Sequence, residues 1–227
     1  MSQVALGVVL AYAVPLIVAS VSFVAVGLLI WADARSSNAK LAISSDFLRD
    51  FDAAKRCERF LGTRRISLAF VLWSLGKTEK QAIVLYRLSR FMLLRKMRLL
   101  SDIPRTISKM VTGVDISPYA EIGPGFVIKH GVGIVIGKNT SIGQNVTVYQ
   151  GVTTGSGRPR ICDSVVVWAG AKIIGDVIVG EGSVVGANAV VLDSVPPNHV
   201  AIGVPARSAP QDGDARAGEA EVKVVRT

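Results

Sequence analysis

Histidine is scarce in this chain of 227 residues: there are two, His130 and His199. A zinc centre that needs three imidazoles is therefore excluded, and no metal is expected. Cysteine is equally rare. Cys57 and Cys162 form no CxxC pair and no disulfide framework, which points to a reducing compartment. Aromatic residues make up 6%, and those in the basic segment are diluted by aliphatic runs, so the stacking platforms of a nucleic-acid surface are missing and no such partner is expected. Charge is absent from Val4 to Trp31, 28 residues in all.

Hydrophobic order fills the second half. An aliphatic residue returns every six positions: Ile116, Ile122, Ile128 and Ile134, then, shifted by two, Ile136, Ile142 and Val148, then Ile161, Val167, Ile173, Val179, Val185 and Val191. Four residues after most of these stands a small or branched residue such as Ala120, Thr140, Val165, Ser183 or Ala189. A period of six fits neither a helix nor alternating hairpin strands. It fits a three-sided parallel β-helix, each hexapeptide giving one short face and one corner. The insert Thr154 to Arg160, rich in glycine with one proline, is expected to leave the coil as a loop.

The remainder divides by charge and hydropathy. With mean hydropathy +0.44, the chain reads as one domain plus a membrane segment, and residues 1–34 are expected to be an uncleaved transmembrane anchor. A cleaved signal peptide competes with it, on the strength of Ala32-Asp33-Ala34. Net charge is +9. Residues 35–110 carry 17 Lys/Arg against 6 Asp/Glu, a balance of +11 that leaves −2 for the rest. By the positive-inside rule the downstream chain is placed in the cytoplasm, giving a single-pass protein of the cell inner membrane. Ala82 to Leu100 reads as a helix whose Arg87, Arg90, Arg95 and Arg98 share one face, turned either to lipid phosphates or to the protein's own surface. Pro104 is expected to break the chain before the repeat. The repeat domain is placed at 111–207 and a disordered tail at 208–227.

Within the repeat, His130 breaks the pattern just before the two-residue shift between Ile134 and Ile136. Asp115 precedes it by fifteen residues, near one full turn, so the two can approach from adjacent coils. A carboxylate that fixes the tautomer of an imidazole makes it a general base. A structural histidine at a turn fits the same pattern.

The segments Val114-Asp115-Ile116-Ser117-Pro118, Ile122-Gly123-Pro124-Gly125, His130-Gly131-Val132-Gly133-Ile134-Val135-Ile136-Gly137, Gln150-Gly151-Val152-Thr153 and Gly203-Val204-Pro205-Ala206-Arg207 resemble the serine acetyltransferase branch of the hexapeptide-repeat acyltransferases. The resemblance covers roughly 112–207. It implies a mainly β, left-handed parallel β-helix, a homotrimer, and acetyl-CoA in a groove between subunits. It implies His130 as base, Asp115 as its orienting acid, and a cofactor track near Gly155, Ala169, Ala187 and Arg207. At positions where serine enzymes carry an acid and an Arg-His pair, this chain has Lys129, Gly157 and Arg158, and a second, assisting histidine is missing. From these departures Lys129 and Arg158 are expected to bind the acceptor, and that acceptor to be a sugar hydroxyl of a polysaccharide or lipid-linked glycan at the membrane. Serine O-acetylation and a non-catalytic membrane scaffold are the alternatives.

Overall fold

The computed structural model describes residues 49–50 and 77–211. Among the described residues from 77 onward, the elements are two helices, α1 (Thr78–Leu94) and α2 (Arg98–Thr112), followed by fifteen short strands. The strands wind into a three-sided parallel solenoid. Face A stacks β1 (Asp115–Ile116), β4 (Val135–Ile136), β7 (Thr153–Gly155), β10 (Lys172–Ile174) and β13 (Val190–Val191). Face B stacks β2 (Glu121–Ile122), β5 (Ser141–Ile142), β8 (Arg160–Ile161) and β11 (Ile178–Val179). Face C stacks β3 (Val127–Ile128), β6 (Thr147–Val148), β9 (Val166–Val167), β12 (Val184–Val185), β14 (His199–Gly203) and β15 (Ala206–Pro210).

The six-residue aliphatic positions line the interior. Ile116, Ile136 and Ile173 stack on face A, Ile122, Ile142, Ile161 and Val179 on face B, and Ile128, Val148, Val167 and Val185 on face C, all buried. Branched side chains suit these two-residue strands, where one residue faces in and its neighbour out. The small residues four positions on, including Ala120, Thr140, Val165, Ala171, Ser183 and Ala189, are buried at the corners. Thr154 takes the inward position between Ile136 and Ile173, its hydroxyl bonded to that of Thr140 at 2.8 Å.

Coil length varies at three places, the last being the closing coil, where Val184 pairs with Val200, sixteen residues on. Asp115 pairs with Val135, twenty residues on, and Val135 pairs with Thr153, eighteen on. The two extra residues of the first coil lie between β3 and β4, in the corner that carries His130. The second irregularity is smaller than the sequence suggests. Thr154 and Gly155 belong to β7, so the insert is confined to residues 156–159, where Ser156 and Gly157 have positive φ.

The helices close the open end. A first coil has no preceding coil, and its outward edge needs partners. Side chains of α1 and α2 supply them: Tyr86 Oη donates to Ala120 O at 2.9 Å, Arg87 to Ile122 O and Gly123 O at 2.7 Å each, Arg90 to Pro118 O at 3.1 Å and Ser108 to Val114 O at 3.0 Å. Arg87 is also paired with Asp50 at 2.9 Å, and Asp50 accepts the amide of Phe126 at 2.8 Å. Ala82, Ile83 and Tyr86 join the solenoid core.

Several expectations are corrected here. The helix expected over 82–100 stops at Leu94; Lys96 is left-handed (φ 64°), and a second helix begins at Arg98. Pro104 lies inside α2 rather than breaking it. Arg87, read as a lipid-facing candidate, is buried against the solenoid, and Arg90 turns the same way. Ser208 to Pro210, assigned to the tail, pair with Ala201 to His199 in the closing hairpin. Among the described residues no helix is long and apolar enough to cross a membrane. The anchor expected at 1–34 lies outside the described residues, as does the tail from 212.

Candidate functional site

His130 sits at the corner between faces C and A. Its φ is 53°, a left-handed conformation that turns the chain sharply and that non-glycine residues seldom adopt. Its carbonyl accepts the amide of Val132 at 2.7 Å, and the loop is tied to neighbouring coils by Gly133 N to Gly113 O at 3.0 Å and Gly151 N to Val132 O at 2.9 Å. The ring is exposed. Gly131 is packed tightly: a Cβ there would stand 3.1 Å from Val114 Cγ2, 3.4 Å from Ile128 and 3.5 Å from Glu79 Cγ. The loop therefore projects the imidazole from a fixed base.

Asp115 opens face A next to the same corner, two residues after Gly113, to which the His130 loop is bonded. Its carboxylate, however, is held by α2. Oδ1 accepts Arg105 Nε at 2.6 Å, and Oδ2 lies 3.4 Å from Lys109 Nζ. Partial burial of Asp115 opposes ionisation, but the hydrogen bonds and charges of Arg105 and Lys109 together outweigh it and hold the carboxyl below its ordinary value. The same hydrogen bond raises Arg105 above its own. The structure thus brings Asp115 and His130 to one corner and directs the hydrogen bonds of the acid to α2. Arg105 and Lys109 are four residues apart and so share a helix face; only docking of that helix reveals their role.

A column of side chains follows His130 along the corner. Its ring lies 6.4 Å from that of Tyr149, tilted by 44°, and Tyr149 stacks on Trp168 at 4.4 Å with 18° between planes. Ala169 and Ala187 follow on successive coils, the amide of Asn188 bonding Ala169 O at 2.8 Å. Ala169 is partly exposed and Ala187 exposed beside this stacked pair. The aromatic column escaped sequence reading because 149 and 168 look like ordinary outward positions until the coils are stacked.

The other expected residues lie elsewhere. Gly155 and Arg158 are at the opposite end of face A, at the corner with face B; nothing stands within 4 Å of a Cβ built on Gly155, and the amide of Arg158 is held by Asp176 Oδ1 at 2.7 Å. Arg207 is exposed on the closing hairpin, 3.8 Å from Asp193. Lys129, half-exposed, directly precedes His130. A single chain does not gather these groups into one site. An open groove of about 610 Å³ on face B, lined by Ser141, Arg160, Cys162, Glu181 and Pro197 among others, contains none of the expected site residues.

Residues 158–193 match the model of the bacterial transferase hexapeptide family, six repeats. Over 139 residues the chain is 42% identical to a serine acetyltransferase of Bacillus pumilus, a match covering 58% of this chain and 64% of that protein. It is 39% identical over 138 residues to a serine acetyltransferase of Helicobacter pylori, covering 58% of this chain and 81% of the relative. The chain spans between 55% and 64% of the length of the first curated relatives it matches. A solved serine acetyltransferase in complex with CoA superposes with a TM-score of 0.67 at 31% identity, covering 74% of this chain and 70% of the other. These likenesses overturn the expectation of a glycan acceptor, which had rested on three substituted positions and an apolar N-terminus. They also stand against the inner-membrane placement: the relatives are serine acetyltransferases, and among the described residues no helix is long and apolar enough to cross a membrane. By its repeat, its three-faced coil and its identity to these enzymes, the chain belongs to the serine acetyltransferase-like branch of the hexapeptide-repeat acyltransferases, a family of left-handed β-helices.

Proposed function

We propose that this protein is an acetyl-CoA-dependent serine O-acetyltransferase acting as a homotrimer. The observation that carries the chemistry is the exposed His130, held at positive φ on the overlong corner beside the strand of Asp115. The likeness to serine acetyltransferases carries the acceptor. His130 takes the proton of the serine hydroxyl as its oxygen attacks the thioester carbonyl. The C–O bond forms, the tetrahedral intermediate collapses with loss of the C–S bond, and the proton passes from the imidazolium to the departing sulfur. No covalent enzyme intermediate enters this sequence. Asp115, held by Arg105 at 2.6 Å and Lys109 at 3.4 Å, stands on the strand beside the His130 corner and fixes that edge of the site.

The pantetheine arm fits the track along Tyr149, Trp168, Ala169 and Ala187. Gly155 and Arg158 lie a full face away from His130, so one chain cannot use them together. A trimer with its groove between neighbours would bring the far corner of one protomer toward His130 of the next, and this is the reason to read the unit as trimeric. Arg207, on the closing hairpin, is available to the cofactor's phosphates. The test is thiol release by the purified full chain with acetyl-CoA and serine. Release that requires serine and is lost in His130→Ala is expected; no release by the wild type overturns the reading.

A further inference from the structure

Two residues of opposite charge belong to the neighbourhood of the base, one by sequence and one by packing. Lys129 directly precedes His130. On the other side Glu79 reaches over the loop from the first turn of α1, its Cγ 3.5 Å from where a Cβ on Gly131 would stand. That is ordinary van der Waals distance, so the side chain of Glu79 packs directly on the loop.

Glu79 is half-exposed and makes no ion pair among the described residues. Asp102 and Glu181 likewise make no ion pair among the described residues, whereas Asp50 is engaged with Arg87, Asp115 with Arg105 and Lys109, Glu121 with Arg90, and Asp193 with Arg207; of Glu79, Asp102 and Glu181, the acid packed at the His130 loop is Glu79. Asp163 and Asp176 accept the amides of Gln144 and Arg158. A carboxylate in the first turn of a helix is favoured by the helix dipole, which explains its tolerance there but not its position over the His130 loop.

We propose that Glu79 and Lys129 are a two-point reader for an α-amino-acid acceptor, Glu79 binding the ammonium and Lys129 the carboxylate, so that the hydroxyl falls to His130. This rests on the serine reading above. A zwitterion placed between charges of opposite sign has one favoured orientation, and the reversed one sets like charges together. The pair would replace the acid and the Arg-His pair that serine enzymes carry at positions 129, 157 and 158, moving the ammonium contact from the repeat to α1.

The experiment is steady-state thiol release by the full-length protein with serine and with 3-hydroxypropionate, which is serine without its ammonium. For Glu79→Gln the serine KM rises about tenfold or more, the scale of one charged hydrogen bond. The KM for acetyl-CoA stays within about twofold, since the substitution leaves the cofactor track untouched. The wild-type preference for serine over 3-hydroxypropionate narrows in Glu79→Gln, and Glu79→Asp recovers part of it. Lys129→Met likewise raises the serine KM. An active wild type whose serine KM is unchanged in Glu79→Gln, or whose variant loses only thermal stability, overturns the inference and leaves the serine reading standing. A wild type inactive on serine overturns both.

Discussion

At the scale of single residues, the proposed chemistry depends on His130 being exposed without being loose. Its ring contributes little to packing, so His130→Ala is expected to keep the wild-type circular dichroism and melting temperature while kcat for acetyl transfer falls by about 100-fold or more, the range for loss of a positioned base. Asp115 behaves differently because it is also a structural ion. Its carboxyl is held below the ordinary value, so the folded state binds this proton less readily than the unfolded chain does. The stabilisation is therefore complete above the unfolded pKa of about 3.9 and is lost as pH falls through the folded one. In melting curves taken from neutral to acid pH, the gap between wild type and Asp115→Asn should narrow below about pH 4. A gap that is constant with pH would show that Arg105 and Lys109 do not act on Asp115 as an ion pair.

At the scale of elements, α1 is a plug for the first coil as well as a carrier of Glu79. Arg87 is buried, paired with Asp50, and donates to two carbonyls of the coil edge. Replacing it with leucine leaves Asp50 charged and buried, along with carbonyl groups that lose their donor. The expected loss is about 3–5 kcal/mol, read from urea unfolding. The corners are equally specific. A Cβ on Gly143 would stand 2.8 Å from the backbone nitrogen of Asp163, and backbone cannot yield as a flexible side chain can. Gly143→Ala should therefore lower the melting temperature more than Gly155→Ala, where nothing lies within 4 Å. Scanning calorimetry of the two variants gives the comparison. The aromatic wall offers a direct probe of the proposed cofactor track: CoA added to the full chain should change the emission of Trp168, and the signal should vanish in Trp168→Phe.

At the scale of the whole molecule, the coil is a one-dimensional stack in which each turn is stabilised by its neighbours. Its assembly decides whether the separate corners meet. Sedimentation equilibrium is expected to give three times the 24.0 kDa chain mass. Mixing Arg158→Ala and His130→Ala protomers should restore part of the activity if each site draws on two chains. The inward ladder was legible in the sequence because its physics is local: with one residue in and one out, a six-residue repeat writes itself into the chain as Ile116, Ile122, Ile128 and their successors, and the shift at Ile136 marks the longer corner. The docking of α1 and α2 was not legible. Arg87 and Arg90 look the same on a helical wheel whether they meet phosphate or a carbonyl edge, and nothing in their spacing distinguishes the two.

The amino-acid sequence by itself determined the three-sided coil and the place of His130, since both follow from side chains spaced along one strand of chain and the backbone corners they demand. Only the tertiary structure decided that Asp115 is clasped by Arg105 and Lys109, that Tyr149 and Trp168 form a wall, and that Glu79 overhangs Gly131. Those contacts join residues that are distant along the chain, and they exist because unpaired edges and buried charges must find partners wherever the fold provides them.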